Sequence, residues 1–181
     1  MAQTIFISGT PTVGKTTISE KLASKIGAKL IKINDFVFEN DLTLGKDPDK
    51  GYEVIDIEKL DSALQNELSE HDGIAIVEGH VSHLCSGADK IIILRANPDI
   101  LKERLEARKY SNNKIRENLE AEAMGVCSLE AYDLHGENVS EIDVSNLKID
   151  EAVDVIIDVI NGNDDYPFGN VDFMEWLISN N

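Results

Sequence analysis

The stretch FISGTPTVGKTTISEKL, residues 6–22, begins with a short apolar run. A glycine-bounded loop follows, and after it the apolar residues have the spacing of a helix. Within it, GTPTVGKT at residues 9–16 matches the phosphate-loop pattern G-x-x-x-x-G-K-[ST] at every position. A strand before such a loop and a helix after it allow backbone N–H groups and the helix N-terminus to bind phosphate. An ordinary glycine-rich turn is the alternative, and motif and context together disfavour it.

The loop motif predicts a Mg·ATP site. We expect Lys15 to reach the β- and γ-phosphate oxygens and the Thr16 hydroxyl to ligate Mg²⁺. The predicted nucleotide contacts are Gly9, Pro11, Thr12, Val13, Gly14, Lys15, Thr16 and Thr17.

A second acidic group is expected at the end of a neighbouring strand, since phosphate-loop enzymes hold magnesium or its waters there. The buried strand GIAIV, residues 73–77, leads directly into Glu78-Gly79-His80. We therefore predict that Glu78 contacts Mg²⁺ through water. A solvated residue at a strand end is the alternative.

The rest of the chain alternates strands with helices, which predicts an α/β fold of the phosphate-loop NTPase type with a five-stranded parallel sheet. We predict strands at residues 4–8, 28–32, 73–77, 90–94 and 139–144, and helices at 15–26, 57–68, 98–109, 112–123 and 149–160. Residues 39–56 are polar and long for a connection, so we expect them to be functional or mobile.

Composition limits the class of partner. The chain has 181 residues, 42% of them hydrophobic, and 34 acidic against 17 basic residues give a net charge of −17. Such a surface repels DNA, although it also serves solubility. Two cysteines, Cys85 and Cys127, predict a cytoplasmic protein with reduced thiols. No apolar run approaches the roughly 20 residues that cross a bilayer, so we expect no membrane association.

The four arginines, in contrast, fall in one window: Arg95, Arg104, Arg108 and Arg116. Arginine makes planar, bidentate phosphate contacts. Arg104 and Arg108 are four residues apart on a predicted helix, where Arg104 could stack on a base and Arg108 could neutralise the transferring phosphoryl group. Alternatively, the arginines form surface salt bridges with Glu103, Glu106 or Glu120.

These motifs, with VEGHVSH at residues 77–83 and LRANPDILKERLEARKYSNNKIRENLEAEAMGV at residues 94–126, resemble the nucleoside monophosphate kinase superfamily. Within it, they resemble the archaeal form of the adenylate kinase isoenzyme 6 type, an adenylate kinase and ATPase linked to small ribosomal subunit maturation. The resemblance implies ATP and AMP as substrates and a basic small-subunit ribosomal protein as partner.

The resemblance also implies roles for individual segments. Arg104 would lie over the adenine of ATP, Arg108 would reach the phosphates from a lid, and His80 would couple the strand end to the lid or position water. Residues 1–161 would form the kinase core, with an acceptor-binding segment at about 34–57 and a lid at about 108–130. Residues 162–181 would form an acidic, aromatic tail.

Some residues depart from the family pattern. Thr12 and Lys109 stand where glycine is frequent, and Glu78 stands where aspartate is usual. The acceptor segment has no arginine, so Lys32, Lys46 or Lys50 would have to hold the acceptor phosphate.

Other interpretations remain open at this point. A zinc site is one interpretation of residues 80–85, which contain His80, His83 and Cys85, but a tetrahedral site needs a further ligand. The tail aromatics pack on the chain's own body or dock on a partner. The function is an ATP:AMP kinase, an ATPase assembly factor, or a small-metabolite kinase on the same fold.

Overall fold

A five-stranded parallel sheet with helices on both faces forms the body of the protein in a computed structural model, which describes residues 3–49 and 51–180. The strands are β1 Gln3–Ser8, β2 Lys29–Lys32, β3 Thr43–Lys46, β4 Glu53–Ile55, β5 Ile74–Glu78, β6 Lys90–Arg95 and β7 Val139–Asp143. The helices are α1 Lys15–Ile26, α2 Ile33–Glu39, α3 Ile57–Ser69, α4 Pro98–Ala107, α5 Asn112–Ala123, α6 Val126–His135, α7 Ile149–Ile160 and α8 Met174–Ser179.

The sheet has the strand order β2-β5-β1-β6-β7, and each neighbouring pair is parallel. The predicted α/β class and five parallel strands are therefore confirmed. Because all five strands run the same way, the ends of β1, β5 and β6 meet at one edge of the sheet. The loop after β1 and the Glu78 end of β5 are neighbours for this reason.

Alternating strand residues bury both faces of the sheet. Ile5 and Ile7 of β1 pack in the core that contains Leu22 of α1 and Ile156 of α7. Phe6, between them in sequence, packs in the opposite core with Leu60 of α3. This double burial explains why the central strands read as continuous apolar runs.

Several parts of the chain contain helices or strands that the sequence analysis did not predict. The polar stretch at 39–56 holds the end of α2 and a β3–β4 hairpin, in which Thr43 pairs with Ile55. Helices α2, α6 and α8 were also missed, and the helix predicted at 98–109 ends at Ala107. Lys50 lies outside the described residues.

The C-terminal tail folds back onto the body of the protein. Phe168 stacks on Tyr132 with ring centroids 4.3 Å apart, and the indole Nε1 of Trp176 donates to Asp99 at 2.7 Å. The guanidinium of Arg95 lies 5.4 Å from the centre of the Phe173 ring. Of the two interpretations of the tail aromatics, the structure shows packing on the chain's own body.

In residues 3–49 and 51–180, no helix is both long enough and apolar enough to cross a membrane.

Candidate active site

One cleft brings together most of the residues that the sequence predicted to act on phosphate. It lies at the sheet edge between the loop after β1, the end of β5 and the segment after α4. Its lining residues are Pro11, Thr12, Gly14, Lys15, Thr16, Thr17, Asn34, Glu78, Gly79, His80, Arg108 and Tyr110.

The phosphate loop depends on glycine where the chain is tightest. Gly9 has φ 141°, and a Cβ there would lie 2.4 Å from the carbonyl oxygen of Leu94. Gly14 has φ 114° and precedes the first turn of α1, where no side chain caps the helix. The backbone N–H groups of that turn can therefore bind an anion.

Lys15 lies over the loop. Its ammonium donates to the carbonyl oxygens of Gly9, at 2.8 Å, and Thr10, at 3.0 Å. Burial lowers the pKa of Lys15 to about 8, while the carboxylates of Glu78 and Glu122 oppose that shift. The ammonium is thus held at the loop with little water around it, where phosphate oxygens would be strong partners.

Thr16 and Glu78 form the donor set expected for magnesium. The Thr16 hydroxyl donates to Oε1 of Glu78 at 3.1 Å. Glu78 is buried, and desolvation raises its pKa. A hydroxyl and a carboxylate side by side fit Mg²⁺, which prefers oxygen ligands and usually retains several waters.

His80 presents one ring nitrogen to the loop backbone. Its Nδ1 lies 3.0 Å from the carbonyl oxygen of Gly9. A carbonyl can only accept, so Nδ1 carries the proton in this contact and Nε2 of the neutral ring keeps its lone pair. Desolvation in the cleft lowers the pKa of His80, which favours that neutral form.

The two arginines singled out by the sequence lie on different sides of the loop. Arg108 lines the cleft. Arg104 donates to the carbonyl oxygens of Thr12 and Val13, both at 3.2 Å, and lines a neighbouring pocket with Val144 and Leu147. Arg104 is thus not among the residues that line the cleft of the Thr16–Glu78 pair.

Arg95 and Arg116 both form salt bridges with glutamates, which was the alternative to phosphate binding, but only Arg116 does so at the surface. Arg116 donates to Glu120 on the helix surface at 2.6 Å, as that alternative predicted. Arg95 instead pairs with Glu122 and Glu141 in the interior, which the surface interpretation missed.

Thr12 and Lys109 adopt the backbone conformation that explains why glycine is frequent at these positions. Thr12 has φ 69° and Lys109 has φ 59°, both left-handed. Lys109 follows the last turn of α4, where its N–H donates to the carbonyl of Glu106 at 2.9 Å. In addition, Oγ1 of Thr12 is buried and has no hydrogen-bond partner among the described residues.

Two further residues near the cleft, Lys114 and Asn34, had no individual role in the sequence analysis. The ammonium of Lys114 lies 4.8 Å from the ring centre of Tyr110 and 5.4 Å from that of Tyr52. It therefore links the proposed lid to the proposed acceptor segment by cation–π contacts. Asn34, the first residue of the acceptor segment, lines the cleft.

The proposed acceptor lysines are less well placed. Lys32 pairs with Glu20, and that contact raises its pKa. Lys46 lies on the β3–β4 hairpin and is exposed.

The zinc interpretation of residues 80–85 finds no support. Behind the cleft, the buried Nδ1 of His83 lies 2.6 Å from the Ser8 hydroxyl, and its Nε2 lies 2.9 Å from Glu130. Cys85 is buried, and burial raises the pKa of its thiol to about 12. Across the described ranges, no group of three or more His, Cys, Asp or Glu side chains could hold a metal ion.

Comparison with known proteins places this site in context. The family model described as an AAA domain matches residues 5–125. A protein of Methanothermobacter thermautotrophicus named putative adenylate kinase is 44% identical over 174 residues, covering 96% of this chain and 99% of the relative. A protein of the same name from Methanocaldococcus jannaschii is 45% identical over 156 residues, covering 86% and 85%.

Solved structures share the fold at low identity. Shikimate kinase from Acinetobacter baumannii, in complex with shikimate, aligns with a TM-score of 0.65 at 14% identity, covering 91% of this chain and 96% of that one. Thymidylate kinase from Candida albicans aligns with a TM-score of 0.56 at 16% identity, covering 88% and 91%.

Proposed function

Because this chain belongs to the family of archaeal proteins named putative adenylate kinase, we propose that it transfers the γ-phosphoryl group of ATP to AMP, giving two ADP. The observation that carries the proposal is the single cleft in which the phosphate loop, the Thr16–Glu78 pair and Arg108 converge. A kinase site of this type needs positioned positive charge and little covalent chemistry from the protein.

The reaction requires a phosphate oxygen of AMP to attack the γ-phosphorus as the bond to the β–γ bridging oxygen breaks. Lys15 and the loop N–H groups would hold the β- and γ-phosphates, and Arg108 would stabilise the charge that spreads over the transferring group. Mg²⁺ held by Thr16, and through water by Glu78, would neutralise charge on the same oxygens.

The adenine of ATP is assigned to the second pocket, on the Arg104 side of the loop. That pocket combines the guanidinium with the apolar side chains of Val144 and Leu147. An arginine over apolar side chains suits a flat aromatic base.

The acceptor would enter between α2 and the segment after α4, where Asn34 and Tyr110 line the cleft. Lys32 is paired with Glu20, and Lys114 offers a further cation beside Tyr110, which lines the cleft. Movement of the lid would carry Arg108 and Lys114 together and would exclude water from the transfer.

A second candidate function is ATP hydrolysis, which the geometry of His80 favours. His80 lines the cleft, and with Nδ1 bound to the Gly9 carbonyl the neutral ring retains an acceptor at Nε2. That nitrogen could orient a water molecule for attack on the γ-phosphorus.

From the resemblance we also propose a role in small ribosomal subunit maturation with a basic ribosomal protein, and from the two cysteines a cytoplasmic location. A net charge of −17 supports a basic partner. The tail aromatics give no support, because they pack on the chain itself. We therefore propose the acidic surface, rather than the tail aromatics, as the region that such a partner would contact.

The test is to incubate the protein with Mg·ATP and AMP, CMP, UMP, GMP or no acceptor, and to measure ADP and free phosphate separately. ADP formed only with AMP, without free phosphate, supports the kinase, whereas phosphate released without an acceptor supports hydrolysis. Lys15→Ala is the control. Equal turnover by Lys15→Ala and the wild type would assign the activity to a contaminant and contradict both functions.

A further inference from the structure

A chain of hydrogen bonds, buried except at its last link, joins the phosphate loop to the C-terminal tail. The Thr10 hydroxyl donates to Oε2 of Glu122, and Oε1 of Glu122 accepts from Nε of Arg95 at 2.9 Å. Arg95 also donates to Oε1 of Glu141, whose Oε2 accepts from the backbone N–H of Gly169 at 2.6 Å. The chain thus crosses from the loop through α5, β6 and β7 to the tail.

The three charged side chains of this chain are buried, so the loss of a partner at any of them would be costly. Arg95 is 2% exposed, Glu122 2% and Glu141 1%. A buried charge that loses one partner is left uncompensated, which costs more than the loss of a surface ion pair. Two carboxylates share one guanidinium here, so neutral donors must stabilise the remaining negative charge.

Those neutral donors lie at both ends of the chain. Glu122 accepts from the Thr10 hydroxyl and, at 2.9 Å, from the backbone N–H of Ala96. Glu141 accepts from the N–H of Gly169 in the tail. The loop and the tail therefore both supply hydrogen bonds that one buried cluster of charges requires.

The tail has its own anchors beside this cluster. Phe173 lies against the Arg95 guanidinium, and Trp176 is hydrogen-bonded to Asp99 of α4. Helix α8 packs on α5, the helix that carries Glu122.

We propose that Glu122 is a positioning residue for the phosphate loop and that Arg95 and Glu141 couple the loop to the C-terminal tail. The proposal rests on the proposed function only in taking the loop as the site that binds Mg·ATP. Thr10 is the second residue of the loop, and its carbonyl oxygen accepts from Lys15. A shift of Thr10 would move the Lys15 ammonium and the neighbouring N–H groups relative to the phosphates.

The first experiment cuts the link between the loop and Glu122. Thr10→Val keeps the shape of the side chain and removes the hydroxyl, whereas Thr10→Ser keeps the hydroxyl. Binding of Mg·ADP is measured by calorimetry for the full chain. Loss of a hydrogen bond to a buried carboxylate predicts that Thr10→Val raises Kd by about tenfold, with Thr10→Ser near the wild type. Equal Kd values for Thr10→Val and Thr10→Ser would overturn the positioning role.

The second experiment measures the fluorescence emission of Trp176, in the tail, while Mg·ADP binds to the loop. Trp176 is the only tryptophan, so its emission reports the tail alone. Coupling is reciprocal, so saturating Mg·ADP should shift this emission in the wild type and in Thr10→Ser but not in Thr10→Val. Absence of a shift in the wild type, or a full shift in Thr10→Val, would overturn the coupling to the tail.

Glu122→Gln provides a second route should Thr10→Val fail to fold. It keeps the size of the side chain and removes its charge, and we expect it to raise Kd for Mg·ADP and diminish the Trp176 shift. Wild-type values for both would overturn the proposal. The proposed function can fail without the coupling proposal. A wild type that binds Mg·ADP but transfers no phosphoryl group to AMP contradicts the kinase function, and the Kd and the Trp176 emission still test the coupling. A wild type that does not bind Mg·ADP contradicts both the kinase function and the coupling.

Discussion

The hydroxyl of Thr16 and the carboxylate of Glu78 meet at 3.1 Å, joining the first turn of α1 to the end of β5. Glu78 is buried, and desolvation raises its pKa, so a divalent cation beside it would stabilise its charged form. Substitution of Thr16 or Glu78 should therefore change how the reaction rate depends on the Mg²⁺ concentration.

Glu78→Gln should lower the rate of phosphoryl transfer by weakening the binding of Mg²⁺. The amide keeps the size and the hydrogen bond to Thr16 but removes the negative charge. We expect a loss of transfer activity of about 10- to 100-fold and a higher Mg²⁺ concentration at half-maximal rate. Magnesium titrations of the initial rate check this. Glu78→Asp, which keeps the charge, is the matched control, and equal Mg²⁺ dependence in the wild type and Glu78→Gln would contradict the assignment.

Nucleotide affinity should fall as the pH rises above 8. Only the protonated Lys15 attracts phosphate, and its pKa is lowered to about 8. Below that pH the amine is already charged, whereas above it binding must also take up a proton, so Kd should rise by up to about tenfold per pH unit. Calorimetry of Mg·ADP binding between pH 7 and 9.5 measures this slope.

Lys15→Met provides the control for the pH dependence. The variant should bind Mg·ADP weakly with the pH slope removed, because no group titrates at that position. A slope in Lys15→Met equal to that of the wild type would assign the pH dependence to another group.

The two arginines that flank the loop should affect different kinetic constants. Arg108 lines the cleft where charge would develop, so Arg108→Ala should lower kcat by about 100-fold. Arg104 lies on the pocket assigned to adenine, so Arg104→Ala should raise KM for ATP by about tenfold with kcat little changed. Steady-state kinetics with ATP varied at saturating AMP separate the two, and Arg108→Lys tests the need for the planar guanidinium. Equal effects of the two alanine variants on kcat would contradict this division.

Thr12→Gly and Lys109→Gly should each stabilise the protein. A left-handed conformation costs an L-residue about 1–2 kcal/mol, and the extra freedom of glycine in the unfolded chain offsets part of the gain. We expect each variant to raise the free energy of unfolding by about 1 kcal/mol in urea denaturation. Lys109→Ala keeps the Cβ and should show no such gain; stabilisation by Lys109→Ala as large as that by Lys109→Gly would show that the backbone angle is not the cause.

The phosphate loop was predictable because its signal is contiguous: eight adjacent residues fix the loop, and the flanking periodicity fixes the strand and helix around it. Glu78 followed from the parallel sheet, since the end of β5 must lie beside the end of β1. The loop prediction depended on one continuous stretch of sequence, and the Glu78 prediction depended on one rule about the ends of parallel strands.

The Glu122–Arg95 pair was missed because its members lie 27 residues apart and meet only in the folded chain. A signal was nevertheless present. Glu122 follows the apolar spacing of Ile115 and Leu119 on α5, so it lies on the buried face of that helix. A charged residue within an apolar stripe predicts a buried partner, and the sequence alone does not say which arginine provides it.

The β3–β4 hairpin escaped prediction for a different reason. Its strands are four and three residues long and largely exposed, so they show no run of buried residues. Short polar strands of this kind form through tertiary context rather than through a local pattern.

The position of Lys15 over the loop has a consequence for ligand binding. Its ammonium already has two carbonyl partners, those of Gly9 and Thr10, so a ligand gains only what it offers beyond them. A polyphosphate brings several charged oxygens and can replace both carbonyls at the ammonium. The loop's own backbone thus competes with the ligand for Lys15.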